Sequence, residues 1–143
     1  MIWSRSRIAL QACAAASALA MLYVGFFQIG WLHRLACPGF GSGCESVALA
    51  RFAWPLGVAD GLLGAAFCGL IAAVAQIARK QAALAAAYLA AIWLGLNVVG
   101  LVEMQKFGAT CFWCLLTAAL SLPLLVLALV SLREGGFAPD RTR

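Results

Sequence analysis

The sequence predicts an all-α integral membrane protein: a bundle of four transmembrane helices, both termini cytoplasmic, with a cysteine-bearing outer loop between the first two helices. Three observations carry that expectation. Apolar residues make up 65% of the chain and charged residues only 10%, far below the roughly 25% charged content of soluble domains. The apolar residues gather into four segments, 8–31, 52–77, 82–102 and 107–132. Each reaches the roughly 20 residues that cross a ~30 Å hydrocarbon layer at 1.5 Å per residue. Basic residues are also unevenly placed. Arg5, Arg7, Arg79, Lys80, Arg133, Arg141 and Arg143 flank one side of these segments, against Arg34, Arg51 and Lys106 on the other. The net charge of +5 is thereby explained by topology, which argues against nucleic-acid binding.

In chain order, segment 8–31 follows Arg5 and Arg7, and its small-residue run through Ala18-Leu19-Ala20 imitates a signal-peptide cleavage region. The chain stays apolar through Phe26, Phe27 and Trp31, so a retained helix is expected. The loop 33–51 is the longest polar interruption. In it Cys37 and Cys44 flank Pro38-Gly39-Phe40-Gly41-Ser42-Gly43, too glycine-rich for a helix and free to swing. Residues 47–52 are expected to form a short helix on the membrane surface. Segment 52–77 carries Pro55 in its first turn, where a missing N–H costs nothing. Gly57, Gly61 and Gly64, with Ala85-Ala86-Ala87 in the third segment, allow close helix packing in lipid. Only Glu103, Met104, Gln105 and Lys106 separate segments 82–102 and 107–132, so these are antiparallel neighbours. Thr110 is expected to cap the last helix, with Cys111 at its first position. Trp31, Trp54 and Trp113 belong to the outer interface and Trp3 to the inner one. Residues 1–143 read as a single domain.

The chemistry concentrates in Cys111-Phe112-Trp113-Cys114. Cysteines at i and i+3 on a helix lie about 5 to 6 Å apart at Cβ, close enough to open and close a disulfide with modest movement. A thiolate at a helix N-terminus is stabilised by the dipole and by free amides, which makes Cys111 the activated sulfur. Cys114 lies one turn deeper, within reach of an oxidant dissolved in the bilayer. Such a pair can also be a static disulfide, a haem attachment or half a zinc site. Leu115 stands where haem attachment requires His. Zinc could draw on Cys37, Cys44, Cys111 and Cys114, although the first pair has a loose spacer, and no metal is expected. Cys13 and Cys68 read as packing residues, and His33 as an interfacial one. Asp60 is the only charge inside the four segments. An intramembrane carboxyl marks a functional or polar-paired site. It either contacts a quinone carbonyl beside Cys114 or stays neutral, paired with Asn97 or a backbone carbonyl.

Taken together, the loop pair Cys37 and Cys44 after the first helix, Pro55-Leu56-Gly57 with Gly64 in the second, and Cys111-Phe112-Trp113-Cys114 opening the fourth resemble the vitamin K epoxide reductase family in its bacterial membrane form. The disulfide bond protein B family has similar chemistry but places its CxxC near the second helix and its mobile pair between the third and fourth. The resemblance implies a thiol:quinone oxidoreductase of the bacterial inner membrane that supports disulfide formation. A reduced thioredoxin-like extracytoplasmic protein would pass electrons to Cys37. Cys44 would attack a Cys111–Cys114 disulfide, and Cys114 would reduce a bound ubiquinone or menaquinone. The few residues after Leu132 cannot form a fused thioredoxin-like domain, so the partner is expected to be a separate protein. Relatives often carry a serine where Ala50 stands and an aromatic hydroxyl where Ala118 stands. Ring binding is therefore assigned to Asp60, Trp113 and Asn97. The competing reading is a non-enzymatic membrane assembly factor or chaperone with structural or metal-binding cysteines.

Overall fold

The computed structural model describes residues 5–77 and 79–134; Trp3, Arg141 and Arg143, named above, lie outside the described residues. Among the described residues the chain is all-helical, without strands. Helix α1 is Arg5–Gln28, α2 is Gly43–Ala48, α3 is Asp60–Val74, α4 is Lys80–Phe107 and α5 is Phe112–Arg133, with 3-10 turns at Arg51–Ala53 and Pro55–Gly57. Helices α1, α4 and α5 are long and apolar enough to cross a membrane, and α3 is a shorter apolar helix of 15 residues. Large apolar side chains such as Leu84, Ile92, Leu96 and Val99 of α4 point outward. A water-facing surface would not tolerate such a stripe, whereas lipid suits it. The protein is a membrane protein.

Helix α1 packs on α3 and α5, and α4 packs mainly on α5. One core cluster, including Leu10, Cys68, Ile71, Trp93 and Leu124, fills the middle of the molecule. A second gathers Val24, Leu35, Val47, Met104, Cys44 and Cys111 at one end. At the opposite end Arg7 is buried, and its Nε donates to the Ala75 carbonyl at 2.7 Å while its Nη2 donates to Gln76 O. These bonds satisfy carbonyls that the end of α3 leaves without helical partners. Ser6 of α1 and Glu134 after α5 meet at the same end. The α1–α3 crossing is close because both helices are notched by glycine. A Cβ on Gly25 would lie 2.8 Å from Leu62 N, and one on Gly61 would run into the Gly25 backbone.

Several expected boundaries move, for local reasons. The helix expected over 52–77 starts only at Asp60, because Leu56 (φ 57°) and Gly57 (φ 78°) are both left-handed and break it. Pro55 therefore opens a 3-10 turn rather than the helix, and Gly57 serves that turn while Gly61 and Gly64 do the packing. The surface helix expected at 47–52 is divided between α2 and the turn Arg51–Ala53. Residues 103–106, expected as a turn, continue α4, where a 2.7 Å Lys106–Glu103 ion pair lies along the helix surface. Helix α4 stops instead at Gly108, whose φ of 77° lets its N–H return to Met104 O and Gln105 O. The connection to α5 is thus 108–111, and it places Cys111 at the helix entrance.

Candidate active site

Cys111 occupies the N-cap of α5 rather than its first helical position, and Thr110 makes no cap there. Its own sulfur caps the helix, accepting from Cys114 N at 3.5 Å, while its N–H donates to Met104 Sδ at 3.2 Å. The Cys111 thiol is fully buried, yet its pKa lies below the ordinary cysteine value. The main cause is the hydrogen bond from the Cys114 side chain, assisted by the Cys114 and Trp113 amides, which together outweigh desolvation. Lowering was expected from the helix terminus. The thiol partner is the larger contributor.

Cys37 and Cys44 form a disulfide, with Cα atoms 5.5 Å apart. Turns through residues 38–42 bring the chain back, with Gly43 N bonded to Phe40 O at 2.9 Å. The bridge lies against the entrance of α5. Cys44 Sγ accepts from Phe112 N at 3.2 Å, and Gly43 is so close to the Thr110 carbonyl that a Cβ there would collide with it. The two pairs are therefore adjacent, Cys44 and Cys111 belonging to one buried cluster. The loop that its glycines suggested would swing is docked here.

Below the cysteines lies a cavity of about 400 Å³ between α3, α4 and α5, lined among others by Asp60, Phe67, Trp93, Asn97, Cys114 and Thr117. Cys114 thus faces a mostly apolar chamber one turn inside the helix entrance. Asn97 Nδ2 donates to Trp93 O at 2.8 Å and its Oδ1 accepts from Thr117 Oγ1 at 3.3 Å. Asp60 pairs with neither Asn97 nor a backbone carbonyl. Its Oδ1 accepts from Gln28 Nε2 at 2.7 Å. Trp113 does not line the cavity. It lies on the loop side, where its Nε1 donates to Ala36 O at 2.7 Å.

Gln28, Thr117 and Trp93 were not singled out from sequence. Gln28 is buried and bridges three parts of the chain, donating from Nε2 toward Ala48 O (3.1 Å), Ala53 O (3.2 Å) and Asp60, while its Oε1 accepts from Gly61 N at 3.0 Å. Its signal was present: an amide at the end of an otherwise apolar segment needs partners. Trp93 Nε1 is buried without a hydrogen-bond partner among the described residues. His33 is exposed, Cys13 packs beside the central core and Cys68 is buried in it. Among the described residues no three His, Cys, Asp or Glu side chains converge as a metal-binding group.

A flat, lipid-soluble acceptor fits these residues. The chamber is apolar, aromatic walls are supplied by Phe67 and Trp93, and polar atoms of Asp60 and Asn97 are on hand for a ring oxygen. A search of curated proteins gave no match. The model of the Vitamin K epoxide reductase family matches residues 8–129, most of the chain from α1 into α5. A low-pKa thiol packed against a second cysteine pair, in a chain able to cross a membrane, is what thiol–disulfide oxidoreduction there requires. With the match spanning both cysteine pairs, this membrane protein belongs to the vitamin K epoxide reductase family of oxidoreductases.

Proposed function

We propose that the protein is a thiol:quinone oxidoreductase of the bacterial cytoplasmic membrane, taking electrons from a reduced thioredoxin-like protein outside the cytoplasm and so supporting disulfide formation. The observation that carries this reading is the contact of Cys44 Sγ with the Phe112 amide, which joins the loop pair to Cys111 while Cys114 faces the cavity. In this reading Cys37, half-buried, meets the partner. Cys44 attacks Cys111 in a Cys111–Cys114 disulfide, and Cys114 leaves. Cys37 then attacks Cys44, and Cys111 leaves as a thiolate, for which its lowered pKa suits it. Bound in the cavity, a ubiquinone or menaquinone supplies a two-electron, two-proton acceptor. Asp60 and Asn97 are the residues that would hydrogen-bond it, and the apolar walls keep water from the sulfurs.

The single domain is proposed to cross the bilayer four times with both termini inside. Helix α3 is about 22 Å long by its residue count. Its start is bonded to Gln28 and the residues after its end to Arg7, the two extremities of α1, so it runs the same course as a helix long enough to span. The basic residues Arg5, Arg7, Arg79, Lys80 and Arg133 flank the helix ends remote from the cysteines, which supports cysteines outside and that end in the cytoplasm.

The test is anaerobic. The purified protein is reduced, freed of reductant and mixed with a soluble quinone, and quinone absorbance is followed for wild type and Cys114→Ala. Stoichiometric reduction by wild type, lost in the variant, is expected. No reduction by wild type, with its thiols shown to be free, refutes the proposal in favour of a non-enzymatic assembly factor or chaperone.

A further inference from the structure

The residue before Cys37 is held by both of its backbone polar groups. Ala36 N donates to Tyr23 Oη at 3.1 Å, and Ala36 O accepts from Trp113 Nε1 at 2.7 Å. Tyr23 belongs to α1 and Trp113 to the first turn of α5, and their rings meet edge to face with centroids 5.0 Å apart. Neither ring lines the cavity. On the far side of the loop, Glu45 Oε1 accepts from Leu35 N at 3.1 Å, so both chains leading to the disulfide are tied together. The outcome is the approach of Cys44 Sγ to the Phe112 amide beside Cys111.

We infer that Tyr23 and Trp113 form a clamp on the backbone of Ala36 that positions the cysteine loop for transfer between the two pairs. They are positioning residues, and the role rests on the thiol relay proposed above. Interfacial anchoring alone accounts for the rings but not for both polar atoms closing on the backbone of one residue, next to the loop cysteine. Trp113 lies between Cys111 and Cys114, so the clamp is built into the helix turn that carries the second pair. The step it serves is balanced within the chain. Cys44 thiolate bonds to Cys111 Sγ and breaks the Cys111–Cys114 bond. Cys37 thiolate then bonds to Cys44 and breaks the Cys44–Cys111 bond. Two electrons pass from the loop pair to the helix pair, and the two protons lost by Cys37 and Cys44 are matched by those taken up by Cys111 and Cys114.

Tyr23→Phe deletes the hydroxyl and keeps the ring, and Trp113→Phe deletes the indole N–H while leaving a smaller aromatic ring in its place. A net hydrogen bond of ordinary strength corresponds to about a fivefold change in the docked population, and losing both bonds to about twenty-five-fold. The first readout needs no quinone. In a Cys114→Ala background, the loop disulfide is formed at acidic pH, the sample is jumped to neutral pH, and conversion to the Cys44–Cys111 disulfide is followed by alkylation and peptide mass spectrometry. Conversion is expected to slow about fivefold in either Phe variant and about twenty-five-fold in the pair. The second readout separates the clamp from the function. Fully reduced Tyr23→Phe, with all four site cysteines present, should deliver its first equivalent to a soluble quinone at the wild-type rate and its second, drawn from Cys37 and Cys44, more slowly. Wild-type conversion rates in both Phe variants, or equal slowing of both equivalents, overturn the clamp. If no quinone is reduced by any form, the oxidoreductase reading falls, while the disulfide conversion still decides the clamp.

Discussion

Replacing Gln28 by Leu should loosen the site as a whole, because this one amide joins α1, the 48–53 segment and the start of α3. The side chain is 7% exposed, so water cannot take over for it. Its Nε2 has two hydrogens facing three acceptors, Ala48 O, Ala53 O and Asp60 Oδ1, and its Oε1 accepts from Gly61 N. At most three full bonds are therefore made at once. With each bond contributing about 0.5 to 1.5 kcal/mol net, and buried partners left orphaned, Gln28→Leu should cost about 2 to 4 kcal/mol. The exposed Gln105→Leu on α4 is the control, expected within about 0.5 kcal/mol of wild type. The assay is reversible unfolding in mixed detergent micelles, read by helix signal. If Gln28→Leu proved no more destabilising than Gln105→Leu, the amide would not bridge these elements and the account of Asp60 as held by α1 would fail with it.

Three further outcomes are expected. Gly61→Ala would press a methyl against the Gly25 backbone, including Gly25 Cα at 2.7 Å, and should cost about 1 to 3 kcal/mol in the same assay, whereas Gly69→Ala, with open space around it, should be neutral or slightly stabilising; equal effects would mean that α1 and α3 do not touch there. The pH midpoint for alkylation of Cys111 by a small thiol-specific reagent should lie below that of an ordinary cysteine, because a lowered pKa keeps the reactive thiolate present toward lower pH, and Cys114→Ala should move the midpoint up by removing the largest cause. An unmoved midpoint would discard the Cys114 hydrogen bond as the source. Asp60→Asn should leave the Cys44–Cys111 conversion unchanged but slow soluble-quinone reduction about tenfold or more, as expected for loss of a proton-transfer group; wild-type turnover would remove Asp60 from the site.

How much could be read in advance differs from element to element. The membrane class and the nearness of Cys37 to Cys44 and of Cys111 to Cys114 were legible, because bulk hydropathy and short sequence separation are local properties of the chain. Where α3 begins was less legible. The left-handed Leu56 is an unusual conformation for a residue with a Cβ, and nothing in its neighbours announces it apart from Pro55 and Gly57. The end of α4 was misjudged because charge at Glu103 and Lys106 looked like a loop, although the pair is compatible with a helix and the breaker is Gly108. In the site, Asp60 was legible as costly to bury. Its partner Gln28 was not, since the two are separated by 32 positions.

The sequence by itself determined that this chain enters a membrane and carries two cysteine pairs, since apolar content and short-range spacing do not depend on how helices meet. Only the tertiary structure decided that Cys44 lies against the Phe112 amide, that Cys114 opens on a cavity shared with Asp60 and Asn97, and that Trp113 hydrogen-bonds the loop and lies outside the lining of that cavity. Those relations arise where α1, α3, α4 and α5 cross. Crossings are set by which glycines let backbones approach and which buried polar atoms find partners, and both depend on residues far apart in the chain.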